Sequence, residues 1–144
     1  MKKFFSPSPI VQRDGLAVIR IIVGIFMIYH GSEIFSASKI QAYAAWDIFK
    51  KFSSPSSIVY LGKTAEFIGG ILVATGFLTR VGCLILILTM SFISFFVGNG
   101  NIWMDDQYPF LFVLLALVFF FTGPCNWSID NLILNKKNKI RPTV

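Results

Sequence analysis

Four long apolar runs dominate the chain: about Leu16 to Phe35, Ile58 to Leu78, Val81 to Val97 and Tyr108 to Pro124. Each holds seventeen to twenty-one residues, and at about 1.5 Å per residue a helix of that length covers a hydrocarbon core of about 30 Å, given its aromatic and polar flanks. Helices are the form such runs must take in lipid, because an open strand leaves backbone groups unpaired there. The alternation of a membrane barrel strand is missing as well.

The rest of the composition agrees. An apolar fraction of 55%, a mean hydropathy of +0.70 and sixteen Phe in 144 residues exceed what a soluble core of this size can hide. The expectation is therefore an all-α membrane protein, a bundle of four transmembrane helices in one domain over 14–134. A segment at 1–13 precedes it and a basic tail at 135–144 follows. Lys2 and Lys3 before the first run resemble a signal peptide, but Arg13 and Asp14 intervene and no small-x-small site follows, so the run is expected to stay uncleaved.

A formal charge of +6 raises the question of nucleic acid, which requires basic residues grouped on an exposed face. Here they sit at the ends of apolar runs, so no nucleic-acid partner is expected; the lipid bilayer is. Lys2, Lys3, Arg13, Arg20, Arg80, Lys136, Lys137, Lys139 and Arg141 fall on one side, nine in all, against Lys39, Lys50, Lys51 and Lys63 on the other. The positive-inside rule then places both termini in the cytoplasm. Glu33, Asp47, Glu66, Asp105 and Asp106 fall on the far side.

Between the first two runs, Ala45, Ile48, Phe49 and Phe52 recur at helical spacing, with Tyr43 and Trp46 nearby. This predicts a short interfacial helix, acting either as a lid on the bundle or as a membrane-surface element. Ser53 to Ser57 ends it and offers hydroxyls to cap the second span. Thr79-Arg80 leaves almost no loop between the second and third spans, which must form an antiparallel hairpin.

Ionisable groups within spans are costly and usually face the bundle. Counted from Asp14 and Arg80 as markers of the inner face, His30 lies sixteen residues up the first helix and Glu66 fourteen up the second. That is about 24 Å and about 21 Å, nearly one level. Glu33 and Lys63 sit one turn further out, and Tyr108 starts the fourth span at a similar height. His30, Glu33, Lys63 and Glu66 form either a hydrogen-bonded knot or a polar pocket for protons or a small ligand, since histidine changes charge near neutral pH. One His with two carboxylates is a poor metal set, and none is expected.

Arg20, about 9 Å above Asp14, is expected to extend its head to the inner surface. Cys83 and Cys125 lie near the same face without CxxC spacing, as two inert thiols or, less simply, a redox pair. Gly24, Gly31, Gly69, Gly70 and Gly76 read as small residues that let helices approach, of this chain or of a partner.

Three stretches resemble the DoxX family of small four-helix bacterial membrane proteins: Gly24 through His30-Gly31 to Phe35, Ala65 to Gly70 with Gly76 to Arg80, and Thr122-Gly123-Pro124 with Trp127 to Asp130. The likeness covers about Leu16 to Asp130. Glu33 and Ile34 stand where many relatives carry a lysine, and Cys125 where a second glycine is usual. The resemblance implies redox work or partner support at a membrane: relatives include membrane subunits of a thiosulfate–quinone oxidoreductase, partners in oxidant-defence complexes and distant animal proteins that help receptors assemble. It singles out His30 and Glu66 as functional. It also points to quinone as the ligand to expect, and because the sequence shows no haem, flavin or iron–sulfur motif, no intrinsic cofactor is expected and any electron carrier would be the quinone or come from a partner. An oxidoreductase subunit with a membrane or periplasmic partner, or a homo-oligomer, is one expectation; a non-catalytic scaffold is the other. A transporter fits less well, for want of mid-membrane charge.

Overall fold

In the computed structural model residues 12–133 are described, and among them the order is α1 (Gln12–Gly31), a 3-10 turn (Ser32–Phe35), α2 (Ala37–Ala44), α3 (Asp47–Lys50), α4 (Pro55–Thr75), α5 (Thr79–Phe92), a π-helical turn (Ile93–Val97) and α6 (Gln107–Thr122), with no strand. Lys2, Lys3, Lys136, Lys137, Lys139 and Arg141, which carry much of the charge asymmetry, lie outside the described residues. So do most of the two flanking segments.

α1 with its 3-10 extension, α4, and α5 with its π extension are long and apolar enough to cross a membrane. α6 is apolar but has sixteen residues, about 24 Å at the helical rise. The expected fourth crossing thus rests on a shorter helix than the other three. Ile25, Phe26, Leu61, Leu88 and Phe121 point outward on these helices, the inside-out pattern of a surface made for lipid. Inside, Val23 and Met27 of α1, Val73 of α4, Cys83, Leu86 and Met90 of α5, and Val113, Ala116 and Phe119 of α6 form one core.

The helices pack in the order α1, α4, α5, α6. α1 and α4 are antiparallel in a register set by glycine. A Cβ on Gly24 would strike the backbone of Ala74, and one on Gly31, seven residues later, the backbone of Phe67, seven earlier. Gly70 lies against Ile28 and Met27 from the opposite side, while Gly69 receives the Leu86 side chain of α5. These four glycines are thereby taken up within the chain, which leaves that small-residue surface closed to a partner's helix. Gly76 differs: it lies beyond α4 at φ 67, the left-handed cap that glycine adopts without strain.

The segment between α1 and α4 is two short helices rather than one. Ile40 and Phe49 both bury onto Val59, yet nine residues along a continuous helix are two and a half turns, which would aim them at opposite faces. The break comes at Trp46, extended at ψ 142. Ala45 lies outside both helices and Phe52 is exposed. The serines before α4 do not cap it with their hydroxyls; Ser54 is at the N-cap position without a side-chain bond, and Pro55 opens the helix.

Candidate functional site

The depth count from the inner markers places His30, Glu33, Lys63 and Glu66 together, and the α1–α4 register brings them level. Lys63 is central. Its ammonium lies 3.0 Å from Glu66 Oε2 on its own helix and 3.0 Å from Glu33 Oε2 in the 3-10 turn, with the His30 carbonyl 3.5 Å away. Glu33 also accepts from Lys39 Nζ at 2.8 Å and from Tyr43 Oη at 2.9 Å. The Lys63 head lies 5.1 Å from the centre of the Tyr43 ring. α2 thus folds its polar face over the end of the α1–α4 pair. The Glu66 side chain is only 3% exposed, so this carboxylate is buried and held by one ammonium.

Outside the spans, the effects on titration follow from these contacts. The bond to Glu33 raises Lys39 above the usual lysine range. Burial, then the bond to Glu33, raises Tyr43. The Lys50 partner lowers Asp47.

His30 departs from the knot that its position suggests. It contributes its backbone carbonyl, while its ring meets Tyr29 and Phe112 edge-on at centroid distances of 5.8 and 6.5 Å. The imidazole faces a cleft shared with Lys63, Glu66, Tyr108 and Phe112, enclosing about 510 Å³ with its mouth included. A second cleft, about 590 Å³ on the same measure, lies beneath α2 and α3. Lys63, Glu66 and Ile93 border both, and Ile93 begins the π-helical turn, a distortion often found beside functional sites.

The opposite end of the bundle holds residues whose roles the sequence hides. Arg20 does not reach for the surface: it is fully buried. Its Nη1 donates to the carbonyls of Val73 and Ala74, and its Nη2 to that of Trp127. Val73 and Ala74 lie in the last turn of α4, where the helix's own amide donors run out, and a cation suits that helix end. Among the described residues its Nε is a buried donor with no partner. Asp130 accepts from the Leu78 and Thr79 amides at 2.8 and 3.0 Å and from the Thr79 hydroxyl at 3.0 Å, and its own amide donates to the Gly76 carbonyl at 3.0 Å. It caps α5 from fifty-one residues away. Gly76 to Arg80 and Trp127 to Asp130 therefore interlock as a structural clamp. Cys83 and Cys125 are buried free thiols at this end. Among the described residues no group of His, Cys, Asp and Glu is arranged to hold a metal.

An all-helical bundle with lipid-type surfaces and a polar cluster at one end defines a multi-pass membrane protein. The profile of the DoxX family matches residues 15–99, more than half of the chain, and the protein belongs to that family. It is also 28% identical over 132 aligned residues to a protein of Bacillus subtilis (strain 168) named "Putative oxidoreductase CatD", covering 86% of this chain and 91% of that one. No solved structure gives a significant match.

Proposed function

We propose that this protein is a membrane-embedded subunit or accessory of a redox or oxidative-stress system, and that the His30 cleft receives a quinone or similar small ligand on the periplasmic side of a bacterial inner membrane. The observation that carries this reading is the shared lining: His30, Lys63, Glu66 and Tyr108 converge on one cleft whose other walls include Met27, Met90 and Phe112. A few polar groups in an apolar recess are what a flat ligand with carbonyl oxygens requires. Lys63 is already engaged by two carboxylates, which leaves the imidazole and the Tyr108 hydroxyl to meet such oxygens. Bound there, a quinone would supply the electron chemistry, which no residue of the chain supplies. The name of the Bacillus relative points the same way. His30 and Glu66 would then hold the ligand and manage protons beside it.

A titration in lipid nanodiscs tests this. A short-tailed quinone analogue should bind saturably to the wild type and about tenfold more weakly to His30→Ala and Tyr108→Phe, each the loss of one hydrogen bond in an apolar site. Equal binding by all three proteins, or none by the wild type, overturns the proposal. A scaffold role would have to use a surface other than Gly24, Gly31, Gly69 and Gly70, and the exposed Trp103, Met104 and Tyr108 at the same end of the bundle are the place to seek a partner or a second copy.

A further inference from the structure

The cleft beneath α2 and α3 is a separate space, and its chemistry differs from that of the His30 cleft. Trp46 and Phe49 roof it, Val59 and Gly62 form the α4 wall, and Thr89 and Phe92 the α5 wall. About 590 Å³ of space lies within it when its open mouth is included. Two polar groups on its walls have spare capacity. The Thr89 hydroxyl has no hydrogen-bond partner among the described residues, and Glu66 uses Oε2 for Lys63 while Oε1 accepts from none of them. In apolar surroundings such groups gain from any ligand that completes them.

The neighbouring charges limit what that ligand can be. Lys63 spends its donors on Glu33, Glu66 and the His30 carbonyl, so it has none free for an anionic head. Lys39 and Lys63 balance Glu33 and Glu66, so a cation gains no net field. A neutral head that donates a hydrogen bond to a carboxylate oxygen fits both conditions.

We propose that this cleft binds a neutral amphiphile with a hydroxyl head and an apolar tail, the hydroxyl donating to Glu66 Oε1 and accepting from Thr89, and the tail lying along Phe49, Val59 and Phe92. A long-chain hydroquinone and a monoacylglycerol share this chemistry. The site does not depend on ligand binding at His30.

Gly62 makes the inference testable. It lines the cleft, and a Cβ built on it meets nothing within 4 Å, so Gly62→Leu fills the space without disturbing helix packing. The full chain, carrying Trp103→Phe and Trp127→Phe so that Trp46 alone reports, is placed in phosphatidylcholine nanodiscs. It is titrated under nitrogen with a decyl hydroquinone, with a ten-carbon monoacylglycerol and with decanoate. At least one neutral probe should change Trp46 fluorescence saturably. Gly62→Leu should weaken that probe about tenfold or more, and Thr89→Val severalfold, while His30→Ala leaves it unchanged. Decanoate should bind about tenfold more weakly. The neutral probe that binds identifies the source.

Saturation by neither neutral probe, equal binding of decanoate, or indifference to Gly62→Leu overturns the proposal. A loss in His30→Ala as large as that in Gly62→Leu would put the ligand in the other cleft and also overturn it. Because the quinone titration depends on His30 and this one on Gly62, either site can fail alone.

Discussion

A lysine ammonium between two carboxylates, one of them buried, is costly to break and cheap to replace. Removing Lys63 leaves the Glu66 charge in an apolar wall with no counter-ion, because Lys63 is its one ion-pair partner among the described residues. Lys63→Met is expected to destabilise the fold by about 2–4 kcal/mol, whereas Lys63→Met with Glu66→Gln should recover at least half of that loss. Denaturation of both variants in mixed micelles measures the difference, and a double variant no more stable than the single one would show that the pair matters for something other than charge compensation. This cluster was partly legible in the sequence. Depth along a span is residue count times rise, so His30, Glu33, Lys63 and Glu66 could be set on one level without coordinates. The direction of each side chain could not be, and His30 sets its ring against Tyr29 and Phe112 on the cleft that Glu66 also lines, while Lys39 and Tyr43 enter from a helix whose path no count supplies. The burial of Arg20 is hidden from the sequence for a related reason. Snorkelling is the cheapest fate of an arginine near a helix end, unless carbonyl oxygens stand within reach, and those belong to residues more than fifty positions away.

Helices declare themselves in hydropathy, whereas their ends are decided by contacts between distant segments. The four long helices begin and end within a few residues of the apolar runs, since burial in lipid is what both measure. The junction of α4 and α5 is different. Leu78 takes a left-handed conformation at φ 46, unusual for a residue with a branched side chain, and the turn is held by Gly76 on one side and Asp130 on the other. α5 has no capping side chain of its own, so its first amides rely on that aspartate. Asp130→Ala should therefore behave as the loss of an N-cap and cost about 1–2 kcal/mol, with Asp130→Asn retaining part of it. Amide exchange at Leu78 and Thr79 should rise in Asp130→Ala and stay near wild type in a control such as Thr75→Ala, whose hydroxyl bonds only within α4. Equal exchange in the two variants would show that the clamp is not what closes this turn. The broken α2–α3 segment was legible as amphipathic but not as two pieces, because its break answers to where Val59 sits.

Across the whole molecule the two ends of the bundle are built for different work. One end is closed: Arg20, Gly76, Asp130 and the buried thiols leave little there but backbone satisfied by side chains. The other is open, with two clefts, a neutral cluster of four charges and exposed aromatics including Trp103, which is 88% exposed. Packing at the closed end fixes the helices that the clefts divide between them. Counted along the whole sequence, nine Lys and Arg against four lead us to expect the open end outside under the positive-inside rule, but Arg13, Arg20 and Arg80 alone, set against Lys39, Lys50, Lys51 and Lys63, do not decide it. Cysteine labelling in intact cells tests this orientation, since Cys83 and Cys125 are buried and should stay silent. Trp103→Cys is expected to react with a membrane-impermeant maleimide added from outside, and Arg80→Cys, on the first turn of α5, only after the membrane is opened. The reverse pattern would turn the molecule over and aim both clefts at the cytoplasm. A ligand that reaches the clefts from within the bilayer could still enter in either orientation, but an exchange of protons through Glu33 and Lys39 would then draw on the cytoplasmic side, so the labelling result decides which compartment sets the protonation of the cluster.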